Sequence, residues 1–551
     1  MPFAKPDKVN GHTFDFVIIG GGTAGCVLAN RLSFNDKYKV LVLEAGTLTP
    51  EDLLESSVPL LNSRLKNTKV DWKHQSIRQS SADERSISIP SGKMLGGCSS
   101  FNACLFHRCT PSDYDAWNIK GWTYDELRPY FCKVESFHDK EIDKNIHGTM
   151  GLVHATQKSS GLLGNYFKKA CKNMGLPEYY DVTDVPCQIG VTHVQASIYQ
   201  GERNSTGVCY LPKPIQDRHN LTLAMGCHVQ RILFDGKRAQ KVEFKDQEGT
   251  LLTVDVRREI VLSAGALLSP FLLLKSGIGP KDELSQHGIH TVVDLPGVGQ
   301  NLQNHWRVPL VHETVDPGMS MHHDLFVNTD ETLKQALDQK TGAFTRVWPD
   351  AVAYLKIPDT PDNSSHVNNT PQMELFAGGL ALCKEVASLK QVQSATLLMV
   401  YLAPFSRGSI TLSKDQEVHI DLGLLQDERD MECLEKGLRL SFAIANDPIY
   451  KDNCIKRWIL PSEDFNNADI KQYIKEQVET IHHYAGTCKM GPKDEPSTVV
   501  DDHLKVHGLQ NVRVVDASFF PIVPAGQICF PVIACAEKAS DIILKDNEVC
   551  L

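Results

Sequence analysis

The first apolar run of the chain, Phe14 to Ile19, feeds directly into Gly20, Gly22 and Gly25; a helical stretch follows, then a second apolar run, Val40 to Leu43, that ends at Glu44. A strand, a G-x-G-x-x-G turn, a helix and a second strand closed by an acid make up the nucleotide-binding βαβ unit. Gly20 allows the tight turn, Gly22 lets backbone N–H groups approach a pyrophosphate, and Gly25 lets a helix starting near Cys26 pack closely on the strand. Glu44 follows Gly25 by 19 residues, the spacing at which an acid accepts hydrogen bonds from a ribose and disfavours a 2′-phosphate.

Further along, Leu221 to Leu223 and Val229 to Leu233 read as short strands, and Glu259 to Ser263 as a buried strand ending in small residues. Ala264-Gly265-Ala266 then opens a helix carrying Leu267, Leu268, Leu272, Leu273 and Leu274, closed by Gly277 and Gly279-Pro280. This is a second strand-to-helix turn of the nucleotide-binding kind. Val512 to Val515 predicts a strand stopping at Asp516-Ala517-Ser518, and Val532 to Ile543 a helix. Between these parts, Ala395 to Tyr401, Ile410 to Leu412 and Val418 to Leu422 have strand character, with Ser406-Arg407-Gly408 as a turn, which predicts an antiparallel sheet. The fold class is therefore α/β, with a cofactor domain whose last pieces return at the C-terminus and enclose a substrate domain. Two stretches read as loops. Ser91 to Ala103, dense in small residues, suits either a backbone pressed against a large flat ligand or a plain surface loop, and Pro358 to Thr370 reads as a surface loop.

At 551 residues the chain is long enough for two domains, each able to enclose a cofactor. A formal net charge of −10, without any basic block, argues against nucleic acid or an anionic membrane as partner and leaves a small molecule. The 16 cysteines are scattered from Cys26 to Cys550 with no C-x-x-C pair and no Cys/His spacing for zinc, so no metal is expected and buried thiols are. No apolar stretch reaches the length of a transmembrane helix, and Met1 to Thr13 is polar rather than a secretory leader, which predicts a cytoplasmic protein whose sequons at Asn204, Asn220, Asn363 and Asn368 stay silent. Val549-Cys550-Leu551 matches neither a prenylation box nor a peroxisomal address.

Across nearly its whole length the chain resembles the glucose-methanol-choline oxidoreductases, a family of FAD-dependent flavoproteins. Gly20 to Gly25 with Glu44-Ala45, Gly92 to Asn102, Ser263 to Gly279, Gly297-Val298-Gly299-Gln300-Asn301-Leu302, Pro404 to Leu412, and His483 to Gly491 with Val515-Asp516-Ala517-Ser518 occur in the family's order. The resemblance implies an FAD-binding Rossmann-like βαβ domain over 11–310, with substrate-domain insertions at about 155–200, an α+β substrate domain built on an antiparallel sheet over 311–480, and a C-terminal segment, 481–551, that returns to the FAD domain and carries the active site. It also implies that Thr23 and Ala24 meet the pyrophosphate, Glu44 the adenosine ribose, and the Val229 backbone the adenine. Asn102, Ala103, Cys104 and Leu105 would lie against the flavin, and Ala517, Gln527 and Ile528 would line it from the C-terminal side. Phe101 stands where some relatives carry an attachment histidine, so noncovalent FAD is expected.

Hydride transfer from an alcohol needs a base within reach of the hydroxyl, and imidazole suits that task near neutral pH. The residue matching the family's base is His483, with His482 as a flanking residue. The family's second active-site position, a histidine or asparagine, falls on Cys529, which is either part of the chemistry or a small residue under the flavin; a thiol is a weak donor for orienting an alcoholate. The function implied is an FAD-dependent dehydrogenase or oxidase acting on a primary or secondary alcohol, aromatic and secondary-metabolite alcohols included, with oxygen or another acceptor. Two alternatives remain: an FAD-retaining relative with cyclase, lyase or photodecarboxylase activity, and a flavin-binding protein without catalysis. Oligomeric state is not legible in the sequence.

Overall fold

The computed structural model describes residues 3–139, 141–157, 161–183, 185, 188–360, 370–383, 389 and 392–548. The expectations for 361–369, with Asn363 and Asn368, and for Val549-Cys550-Leu551 lie outside the described residues.

The expected architecture is present. A seven-stranded sheet runs Leu221–Met225, Val40–Glu44, Thr13–Ile19, Leu251–Leu262, Arg238–Lys245, His228–Asp235, with Val512–Val514 as a further partner of Leu251–Leu262. The long strand explains how two kinds of pairing share one sheet. Its first half pairs antiparallel with Arg238–Lys245 and its last residues pair parallel with Val512–Val514, while Thr13–Ile19 lies parallel on the other side. Burial follows the pairing, alternating along the first half and becoming continuous from Glu259 to Leu262, where parallel strands are covered on both faces. The carboxyl ends of Thr13–Ile19, Leu251–Leu262 and Val512–Val514 therefore open on one rim, the place where parallel sheets bind ligands.

The second sheet is antiparallel and also seven-stranded, running Ile455–Leu460, Trp306–Thr314, Ser394–Tyr401, Met373–Gly378, Ala351–Leu355, Gly190–His193, with Glu479–Thr480 pairing the start of Trp306–Thr314. Ile410 to Leu412 and Val418 to Leu422 do not join it. They form a separate hairpin, Ser409–Leu412 with Val418–Asp421, that packs against the Gly265–Lys275 helix of the cofactor domain. The reason is the preceding turn, where Leu302 and Gly408 exchange backbone hydrogen bonds of 3.0 and 2.9 Å, and Gly299 lets the Ile410 carbonyl come so close that a Cβ there would sit 2.1 Å from it.

The first helix spans Thr23–Leu32, so Gly25 lies inside its first turn rather than before it. The last helix is longer than its apolar pattern, Cys529–Glu548. It is tied to the first by the buried Glu537, which accepts from Arg31 at 2.6 Å and from the Tyr210 hydroxyl at 2.7 Å. That charge-assisted contact returns the C-terminal segment to the cofactor domain.

Candidate active site

The turn at Gly20 is set by a close approach. Gly20 has φ +99° and an added Cβ would meet the Ser263 carbonyl oxygen at 2.5 Å, while one on Gly25 would lie 1.9 Å from the Gly20 carbonyl. Gly22 differs, because a Cβ there finds nothing nearer than 3.8 Å. No side chain caps the Thr23–Leu32 helix, so its first N–H groups stay open beside that free space, as phosphate binding requires. The glycine-serine block is pressed on this turn as well as on the ligand space: Gly97, at φ +51°, would bring a Cβ to 2.8 Å of Gly22 Cα.

A cavity of about 710 Å³ begins at Gly22, Thr23 and Ala24 and runs between the two sheets to His483. Its size falls inside the range of roughly 300–1,000 Å³ that ligand sites occupy. Phe101, Asn102, Ala103, Leu105, Ala517, Gln527, Ile528 and Cys529 line it. Cys104, held at φ +62° between them, is turned into the core. Gly20, Gly25, Glu44, Ala45 and Val229 lie behind the wall rather than on it. Glu44 is nonetheless committed to the turn, accepting from Gly21 N at 2.8 Å and Gly46 N at 2.7 Å. Burial pushes its carboxyl up to about 7, with those two N–H groups and Lys93 acting in the opposite direction. Two carboxylate oxygens have lone pairs left for ribose hydroxyls.

The His483–Gly491 segment is clamped from both sides by the motifs that accompany it in sequence. Ala485 exchanges backbone bonds of 2.9 and 3.1 Å with Gln303, and Gly486 and Cys488 donate to the carbonyls of Ala517 and Ser518. His483 N donates to Asn304 Oδ1 at 2.9 Å. In this frame His483 Nδ1 lies 2.9 Å from Nδ1 of the buried His305. Burial pushes the His483 imidazolium down to about 4, opposed by a hydrogen bond with Gln527. Gln527 Nε2 in turn donates at 3.0 Å to Glu374, a fully buried residue of Met373–Gly378 whose carboxyl burial raises to about 8, with Gln527 acting the other way.

Gln527 and Cys529 thus share the cavity wall with His483, and Gln527 acts on its imidazole. Cys529 opens the last helix on the same cavity wall, beside Asn102, and burial pushes its thiol up to about 12. A thiol held protonated there is neither nucleophile nor base at neutral pH. His482, at φ +69°, lines the cavity with its Nδ1 3.4 Å from the Tyr484 hydroxyl. Sequence reasoning did not single out His305 or Glu374, nor Arg64, Lys66 and Arg307, which also line the cavity. His305 stands three residues past Leu302, so the motif ending there pointed to its neighbourhood; Glu374 had no signal, being one acid in an apolar strand.

Family models described as GMC oxidoreductase match residues 14–307 and 404–536. The chain is 33% identical to an alcohol dehydrogenase [acceptor] of Pseudomonas putida, over 97% of this chain and 96% of that protein. It is 32% identical to an oxygen-dependent choline dehydrogenase of Vibrio vulnificus, over 96% and 94%. The crystal structure of pyridoxine 4-oxidase from Mesorbium loti superposes with a TM-score of 0.82 at 29% identity, covering 96% of this chain and 98% of the other.

Proposed function

The chain belongs to the GMC oxidoreductase family, FAD-dependent enzymes acting on alcohol CH–OH groups, and from that membership we propose that it is a dehydrogenase or oxidase taking hydride from a primary or secondary alcohol, with His483 as base. The observation that carries this reading is the placement of His483 on the cavity wall with its Nδ1 against His305. Bound FAD supplies the hydride acceptor. The open N–H groups of the Thr23–Leu32 helix would hold its pyrophosphate and Glu44 its ribose, while Asn102, Ala103, Leu105, Ala517, Gln527 and Ile528, which line the cavity, would lie against its ring. Phe101 offers no ring nitrogen for attachment, which supports noncovalent binding.

Between two facing imidazole nitrogens there is room for one proton. With that proton on His483 Nδ1 and His305 Nδ1 accepting, the lone pair of His483 Nε2 is free to take the proton of a substrate hydroxyl. The positive charge that then forms on His483 is stabilised by the same contact. The apolar remainder of the wall, including Leu61, Phe344, Trp348 and Leu398, excludes water and fits an alcohol with an aromatic or other apolar frame.

Anaerobic mixing of the purified flavoprotein with a panel of alcohols tests this. Bleaching of the flavin absorbance is expected, with His483→Ala slower by roughly 10² to 10⁴ and still holding FAD. Equal rates for the two proteins, or no bleaching by any alcohol, would transfer the case to non-oxidative chemistry.

A further inference from the structure

The cavity wall around His482 is unbalanced in charge. Arg64, Lys66 and Arg307 line it, whereas among the described lining residues Asp516 is the only acid. The Asp516 oxygens are engaged at the second strand-to-helix turn, accepting from Gly265 N at 2.9 Å, Ser269 Oγ at 2.6 Å and Ser518 N at 2.8 Å. Arg307 pairs with Glu479 at 2.7 Å, and Asp71, which also acts on Lys66, accepts from the backbone of Asn67, Lys73 and Ser91. Neither Glu479 nor Asp71 reaches the cavity surface. A bound molecule therefore meets the cations, with the carboxylates behind them.

Lys66 makes no ion pair among the described residues. Lys66 is an exposed residue that also lines the cavity. The His482 ring next to the base feels both cations. Cations on the wall of a largely apolar cavity attract an anion and repel a cation.

We infer that the substrate is an anion, an alcohol carrying a carboxylate on an apolar frame, with Lys66 and Arg307 as its counter-charges. The inference rests on the hydride-transfer reading of the same site, and its test separates the two.

The holoenzyme, Lys66→Met and Lys66→Arg are compared on 4-(hydroxymethyl)benzoate and on its neutral isostere 4-(hydroxymethyl)benzamide. At low ionic strength the parent should prefer the carboxylate in kcat/KM by more than about tenfold, equivalent to roughly 1.4 kcal/mol. Lys66→Met should lose that preference and Lys66→Arg restore most of it. Binding of benzoate, read from its perturbation of the flavin spectrum, should weaken in parallel and with added salt. A preference near one in the parent, an unchanged preference in Lys66→Met, or loss of FAD from Lys66→Met overturns the inference. Benzoate binding that depends on Lys66 without reduction by any alcohol would retain the anion site and reject hydride transfer; reduction by neutral alcohols with no response to Lys66 would do the reverse.

Discussion

His305 and His483 face each other through their Nδ1 atoms at 2.9 Å, with ring planes crossing at 80°. The contact couples the protonation of the two rings, since one proton is shared between the facing nitrogens. His305→Ala should slow flavin reduction by roughly 10-fold to 10³-fold, short of losing the base itself, and should also move the pH profile, because the tautomer and the stabilised imidazolium both change. His305→Phe keeps the buried volume and should behave like the alanine variant. A normal rate and pH profile in both would reduce His305 to packing.

The acid limb of flavin reduction should lie near pH 4 to 5 rather than at the 6.5 of an ordinary histidine, since burial holds His483 at about 4. Rapid-mixing measurements from pH 4 to 8 check this, and a limb at 6.5 would mean a wetter cavity. The same shift affects stability. The unfolded histidine takes up its proton near 6.5 and the folded one only near 4, so the His483 contribution is complete above 6.5 and is lost as pH falls from 6.5 to 4.

Gln527 and Cys529 should separate cleanly by substitution. Gln527→Ala removes the hydrogen bond to His483 and strands Glu374, so slower reduction is expected, by roughly tenfold or more. Cys529→Asn should change the rate little, because the thiol acts on the cavity wall beside Asn102 and not on the base. A large gain in turnover for Cys529→Asn would place the second active-site group at 529 after all.

FAD should be released by acid or heat denaturation, since Phe101 cannot form a covalent link; flavin that stays with the denatured chain contradicts this. Glu44→Gln should weaken FAD retention by about 1.5 to 3 kcal/mol, the range of a hydrogen bond to a charged group, and it also sets an amide NH₂ against the Gly21 or Gly46 N–H. Equilibrium dialysis of FAD measures the change.

Glu374→Gln should raise the melting temperature at pH 9 and leave it close to the parent at pH 4. Burial raises the folded carboxyl to about 8 from 4.5, so folding retains a proton that the unfolded chain gives up between those values. The parent therefore loses stability as pH rises through that window, and an amide does not. Equal pH dependence in the two proteins would show that Glu374 ionises freely where it sits.

Local order along the chain determined the cofactor turn, the second strand-to-helix turn, the C-terminal strand and helix, and the position of His483, because each is a short apolar run meeting small residues whose geometry neighbouring residues impose. The same local reading stopped where partners come from far away. It placed Ile410 to Leu412 and Val418 to Leu422 in the substrate sheet, although strand character cannot say which sheet a hairpin joins; the Leu302–Gly408 contact decided that. It put the second active-site group at Cys529 and had no signal for the action of Gln527 on His483, two residues earlier, at the entry to a helix whose start only its packing sets. His305 lies 178 positions from His483 and Glu374 lies 153 from Gln527. Contacts at such separations leave no periodicity or spacing in the sequence. They exist only because the backbone ladders of two sheets bring these strands together, and the burial that follows sets the protonation of the site.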